Sequence, residues 1–172
     1  AYYQGKIGKM GIDLNGTYYD GTNERNDVVT ETSEKLEDRE VHSSSKERNR
    51  MYAAKLILDF PMMGGKLKVG TELIKTKSHG VFTNIENYVK SSETDIKEHS
   101  IAGFAQYELS IGHWHMGAGV RYEDVVRNYY LYGDKQDDAS RTYHNLFPNL
   151  AVAWRKNDWS WQLSMNEKMH RP

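Results

Sequence analysis

The chain has no cysteine among its 172 residues, only three prolines, and no run of about twenty apolar residues. Without cysteine there is no disulfide stapling, no thiolate metal site and no cysteine nucleophile. Without a long apolar run there is no transmembrane helix, and the first residues do not form a signal peptide. Hydrophobic residues make up 38% of the chain and mean hydropathy is −0.81, which is little for a domain with a large conventional core. The formal net charge of −1, with Lys and Arg scattered, gives no basic footprint, so no nucleic-acid partner is expected. Helical periodicity is nearly absent, and no fixed-length repeat beyond the hairpin supports a propeller or solenoid.

What the chain does contain is 4 Trp, 12 Tyr and 14 Gly, set into runs that alternate with a period of two. Met10, Ile12, Leu14, Gly16 and Tyr18 alternate with Gly11, Asp13, Asn15 and Thr17. Tyr52, Ala54, Leu56, Leu58 and Phe60 alternate with Ala53, Lys55, Ile57 and Asp59. Trp114, Met116, Ala118, Val120 and Tyr122 alternate with His115, Gly117, Gly119, Arg121 and Glu123. Seven such runs predict an all-β antiparallel meander of about seven strands in hairpins.

Three tight turns set testable registers. A Met63-Gly64 turn places Leu58 opposite Val69, Asp59 opposite Lys68 and Lys55 opposite Glu72. A Gly112-His113 turn pairs Leu109 with Met116, Tyr107 with Ala118, and Gly103 with Tyr122, whose ring is expected to cover the glycine. A Lys156-Asn157 turn pairs Trp154 with Trp159, Val152 with Trp161 and Arg155 with Asp158. Between these hairpins lie long polar connections at 21–50, 75–100 and 124–145, read as loops or polar strand extensions.

Short turns at one end and long polar segments at the other are the pattern of an outer-membrane barrel, whose strands need only about ten residues each to span. Phe60, Trp114, Trp154, Trp159 and Trp161 end the apolar faces beside the tight turns, as lipid-interface aromatics do. Tyr18, Tyr19, Tyr52, Tyr122, Tyr129 and Tyr130 form a second candidate girdle at the opposite ends. Lys55, Asp59, Lys68, Glu72, Glu108, Arg121 and Glu123 fall on the polar faces and are the candidate lumen-facing residues. The alternative is a soluble or surface-attached β-barrel or β-sandwich that binds a ligand or partner, with the aromatics in its core.

The chain also resembles the barrel region of TonB-dependent outer-membrane receptors, in particular the outer-membrane β-barrel family common in Bacteroidetes. The resemblance is carried by Tyr2-Tyr3-Gln4-Gly5-Lys6-Ile7-Gly8-Lys9, Gly11-Ile12-Asp13-Leu14-Asn15 and Asn49-Arg50-Met51-Tyr52-Ala53-Ala54-Lys55-Leu56. It continues through Ala102-Gly103-Phe104-Ala105-Gln106-Tyr107, Gly117-Ala118-Gly119-Val120-Arg121-Tyr122-Glu123 and Phe147-Pro148-Asn149-Leu150 to Lys168-Met169-His170-Arg171-Pro172.

The resemblance implies a bacterial outer-membrane location, a parent barrel of about 22 strands around a plug, and energy-coupled import of a nutrient. Outer-membrane lipid would be the direct partner; the plug and TonB would be met through the parent. Residues 1–172 are read as one partial barrel segment, without plug domain, TonB box or signal peptide, from the middle to late barrel. As an isolated piece it is expected to curl on itself or to self-associate through edges or apolar faces.

No catalytic constellation, phosphate-binding glycine loop or HExxH helix occurs, so neither enzymatic activity nor a cofactor is expected. His113 and His115 are read as turn and lumen histidines, and the acidic Glu93, Asp95, Glu98, Asp137 and Asp138 as solvated loop residues, rather than metal ligands. For ligand recognition the candidates are Tyr129, Tyr130, Tyr132, Arg141, Tyr143 and His144, placed on an extracellular loop.

Overall fold

The computed structural model describes residues 1–32 and 38–167. The closing motif of the resemblance, from Lys168 to Pro172, lies outside the described residues. The chain forms eight strands: β1 (Tyr2–Ile7), β2 (Met10–Glu31), β3 (Arg39–Met62), β4 (Gly65–Asn84), β5 (Ser92–Ile111), β6 (Trp114–Leu131), β7 (Asp134–Lys156) and β8 (Trp159–Asn166). All pair antiparallel with their sequence neighbours in one open sheet, with β1 and β8 as its edges. The meander is as expected, with one strand more, because β1 has too few residues for its alternation to stand out.

Turn chemistry explains the hairpins. Met63 and Gly64 have φ of 47° and 78°, the double positive φ of a type I′ turn, whose twist matches that of the flanking strands. The Met63-Gly64 and Gly112-His113 turns occur as expected, with Leu58 opposite Val69 and Leu109 opposite Met116. The last hairpin does not. Its turn is Asn157-Asp158, so Trp154 faces Trp161, Val152 faces Leu163 and Arg155 faces Ser160. Asn157 takes the left-handed φ of 51°, which asparagine tolerates better than lysine.

The polar connections are mostly strand. β3 alone has 24 residues, roughly 80 Å at about 3.3 Å per residue, far more than a membrane requires. The segment 124–145 closes in a two-residue turn at Tyr132-Gly133. A bulge between Arg127 and Tyr129 absorbs the mismatch with β7. Ser140 pins it, accepting from the Tyr129 N–H at 3.2 Å and donating to the Gln136 carbonyl at 2.8 Å.

The link between β4 and β5 is tied to β3. Asn84 is the buried polar residue here: its amide donates to the His42 carbonyl at 3.0 Å and accepts from the Val89 N–H at 3.2 Å. The His42 N–H donates to Glu86 Oε2 at 2.8 Å, and this bond holds the Glu86 carboxyl below its ordinary range. A depressed carboxyl stabilises this junction above the ordinary glutamate pKa, and the stabilisation is lost as pH falls through the lowered value. Hydrogen exchange of the intact protein should therefore show the His42 amide protected at neutral pH and released in acid, with Glu86→Gln abolishing the pH dependence. A pH dependence that survives Glu86→Gln would contradict the assignment.

Candidate functional site

The ladders from β2 to β6 run without a register shift, so the two faces defined at the turns persist along the strands. One face is apolar and open: Ile101 is 56% exposed, Leu150 49% and Leu163 71%. On the other face Ala102 and Val125 are each 1% exposed. A water-soluble sheet buries its apolar face and exposes its polar one. Here large apolar side chains stand open on one face, while on the other the Glu72, Arg121 and Glu123 side chains are only 18% to 30% exposed.

Aromatic residues bound the apolar face, and their edges run obliquely across the strands. Tyr52 lies in line with Lys75, His99 and Val126, and Val126 is four residues beyond Tyr122. At the other edge Phe60 lies in line with Leu67, Tyr107 and Ala118, which is four residues from Trp114. Both edges therefore shift by the same four residues over three strand steps. At about 3.3 Å per residue and about 4.8 Å per strand, the strands tilt by roughly 40° from the normal to this band. That is the tilt of a closed membrane barrel.

From β6 to β8 the lower edge is level, with Trp161 in register with Trp154 and Trp114, and Trp159 lies two residues further out. From Tyr52 to Phe60 the band is roughly 26 Å along the strand and roughly 20 Å after the tilt, close to the height of an outer-membrane apolar belt. Trp114 and Trp161 meet edge-on with centroids 5.2 Å apart, and Tyr18 and Tyr52 lie 4.9 Å apart at the upper edge.

The opposite face holds an ionic network. Arg121 reaches Glu72 at 3.3 Å and Glu123 at 2.7 Å, Lys55 lies 3.9 Å from Glu72, and Gln106 donates to Glu108 at 2.9 Å. Lys55, Asp59, Lys68, Glu72, Glu108, Arg121 and Glu123 all share this face. Asp59 faces Lys68 in register, but its ion pair is with Lys66 on the diagonal, at 2.9 Å. Phe104 lies against Gly70. Gly103 stands opposite Tyr122 but is uncovered: a methyl group there would meet nothing within 4 Å, and the Tyr122 hydroxyl is 3.4 Å from His144.

Beyond the upper aromatic edge the strands carry ions. Arg48 binds Asp20 through two nitrogens, at 3.0 and 2.8 Å, and Arg50 approaches the same carboxylate at 3.3 Å. The Arg48 guanidinium holds the Asp20 carboxyl down to about 2.

The six expected ligand contacts do not converge. Tyr129, Arg141 and Tyr143 share the ionic face, whereas Tyr130 and His144 share the apolar one, and Tyr132 sits in the turn. All but Tyr132 are on strands, which corrects their placement on a loop. Of the second girdle, Tyr18, Tyr52 and Tyr122 border the band, but Tyr19 and Tyr129 lie on the ionic face. His113 packs on Trp154, while His115 bonds Ser110 at 2.9 Å. A cluster that sequence reasoning missed joins His79 to Glu93 and Asp95 through β4–β5 pairing. Lys77, 3.8 Å from Asp95, already neutralises it.

A sheet with an exposed, tilted, aromatic-edged apolar band and an ionic reverse face defines the wall of a transmembrane β-barrel. No helix among the described residues is long and apolar enough to cross a membrane, and the crossing belongs to the strands. The model of the outer membrane protein beta-barrel family matches residues 6–172, and the chain belongs to that family, in the bacterial outer membrane. The ferric citrate transporter FecA, in its unliganded form, overlays on 96% of this chain and 25% of its own, with a TM-score of 0.68 and 17% identity.

The ferripyoverdine receptor of the outer membrane of Pseudomonas aeruginosa matches over 90% of this chain and 24% of its own, with a TM-score of 0.62 and 12% identity. For the ferric yersiniabactin uptake receptor FyuA from Yersinia pestis the shares are 90% and 25%, the TM-score 0.57 and the identity 11%. At these identities the likeness is one of fold, and this chain spans about a quarter of each. These neighbours are transporters and receptors. No curated protein matches the chain.

Proposed function

We propose that this chain is a stretch of barrel wall, with its outer strand extensions, from a TonB-dependent receptor that imports a scarce nutrient across the outer membrane. The observation that carries the reading is the equal four-residue offset of the two aromatic edges between β3 and β6. An oblique band of constant width is what a flat lipid slab requires of tilted strands, and a soluble sandwich has no reason to keep it. The fold likeness to iron-carrier receptors supports the same reading.

In this reading lipid covers the apolar face, and the network around Arg121 faces the lumen, where a plug would meet it. Tyr129, Arg141 and Tyr143 are then the candidate contacts on the ligand's path, while Tyr130 and His144 face away from it. The segment has a wall's role, and we assign it no catalysis and no cofactor.

The test uses the intact protein that carries this segment, reconstituted in vesicles whose lipids bear quenchers. Single-tryptophan variants retaining Trp114, Trp154 or Trp161 should be quenched strongly by headgroup-proximal quenchers. A tryptophan introduced at Phe104 should not be. Equal quenching on both faces, or none on either, would overturn the reading.

A further inference from the structure

Beyond the upper aromatic edge, the β4–β5 ladder gathers three side chains of the kind that ligate metals. His79 stands directly opposite Asp95, and Glu93 is the next residue of β5 on the same face, opposite Val81. Their donor atoms all lie within 4.8 Å of one another, and His79 Nδ1 is 3.3 Å from Asp95 Oδ1. A nitrogen and an oxygen that share one ion at about 2.1 Å each, at tetrahedral or octahedral angles, stand roughly 3.0–3.4 Å apart. His79 and Asp95 are already spaced as a liganding pair, and the exposed Glu93 carboxylate closes the set by a side-chain rotation.

The backbone that carries these residues is tied down on both sides. On the reverse face the Thr94 hydroxyl donates to the Gly80 carbonyl at 3.4 Å, across the same two strands. On the outer side the Glu93 carbonyl accepts the Tyr132 N–H at 2.9 Å. Paired strands rather than a free loop therefore place the donors, which lowers the ordering cost of binding.

The neighbouring cations of this face on β3 and β5 are engaged elsewhere. Lys46 is held on Glu24, Arg48 and Arg50 on Asp20, and Lys97 lies over the Tyr130 ring, 4.4 Å from its centroid. Lys77 is the one that reaches the donor set among the described residues, 3.8 Å from Asp95 Oδ1 and with its side chain 51% exposed. So long a contact from a half-solvated ammonium is worth little. A dication held by two carboxylates and an imidazole displaces it.

We propose that His79, Glu93 and Asp95 bind a divalent first-row transition ion, which staples β4 to β5 above the apolar band. One imidazole nitrogen with two carboxylates suits a borderline ion such as Zn²⁺, whereas Ca²⁺ and Mg²⁺ favour all-oxygen shells. Water completes the coordination at so open a site. The three side chains share the face of the apolar band, opposite the ionic network, so the ion braces the wall and is not the imported nutrient. The site rests on the strand register and stands apart from the import reading.

The test takes the intact protein that carries this segment, in detergent and stripped of metal with a chelator, and titrates Zn²⁺ in competition with a fluorescent indicator. His79→Ala, Asp95→Asn and Glu93→Gln should each weaken one equivalent of binding by at least about tenfold, the loss seen even when a ligand's outer partners are disturbed. Lys77→Ala removes the competitor and should tighten the same equivalent. His99→Ala, which changes a histidine of the same face nearer the band, should leave binding as in the wild type. Ca²⁺ at equal concentration should not displace Zn²⁺.

The staple has its own readout. Zn²⁺ should slow hydrogen exchange of the amides at 79–81 and 93–95 in the wild type and not in Asp95→Asn. Zn²⁺ affinity unaltered in any of the three ligand variants, a Lys77→Ala protein that binds no tighter, or displacement by equal Ca²⁺ would each overturn the site. Binding without slower exchange would overturn the staple.

Discussion

Replacing Leu56 by arginine in the intact barrel, folded in lipid vesicles, is expected to lower the unfolding free energy by about 2–4 kcal/mol, the range for a cation at the bilayer midplane of a barrel wall. Leu56 is the midpoint of the band on β3, between Tyr52 and Phe60, and is flanked in register by Leu14 and Thr71 on the same face. A guanidinium there has roughly 10 Å of hydrocarbon on either side, too far to snorkel without bending the wall or thinning the lipid. Ala118, midway between Trp114 and Tyr122 on β6, should respond in the same way.

The matched control is Gln106→Arg on the ionic face, beside Glu108, where the change should stay within about 1 kcal/mol because the charge remains hydrated or paired. Denaturant titration of the three variants settles the matter. If Gln106→Arg is as damaging as Leu56→Arg, the two faces have been assigned wrongly.

Gly70→Ala should be the most damaging small substitution on the ionic face, by about 1–3 kcal/mol. A methyl group there would lie 2.5 Å from two Phe104 ring carbons and 2.8 Å from the Leu56 carbonyl oxygen. The ring can swing aside, and the backbone oxygen cannot without disturbing the β3–β4 ladder. Adding Phe104→Leu should therefore recover part of the loss and leave part, a coupling readable by a double-mutant cycle. Full recovery would mean that the carbonyl contact is immaterial, and no recovery that the ring is not the obstacle. Loss of the ring also removes the neighbour opposite Arg121, so salt dependence of the two single variants separates packing from charge.

Much of the wall was legible because alternation is local. Whether Leu56 and Lys55 lie on opposite faces depends only on the pleat, and Met63-Gly64 carries its own turn preference. The last hairpin was misplaced because a two-residue displacement of register keeps every side chain on its face. Alternation cannot distinguish Trp154 opposite Trp159 from Trp154 opposite Trp161. The contact of Trp161 with Trp114 across β7 accompanies the observed register.

The 124–145 hairpin was hidden for a different reason. Above the band both faces meet water, the hydrophobic period fades, and paired strands look like loops. Tyr129 and His144 were grouped by nearness in sequence, and the register then put them on opposite faces.

One alignment of like charges had no signal along the chain. Arg50, Lys77 and Lys97 are unremarkable polar residues on three strands until pairing sets them side by side. The sequence by itself determined the class of fold, the composition of each face and the aromatics that end them, because these follow from the two-residue period and from side-chain chemistry. Only the tertiary structure decided the slope of the band, the partners in the ionic network and the alignment of like charges across β3, β4 and β5. Each of these depends on how far one strand is displaced along the next, and that displacement is set jointly by turns, bulges and packing across the whole sheet.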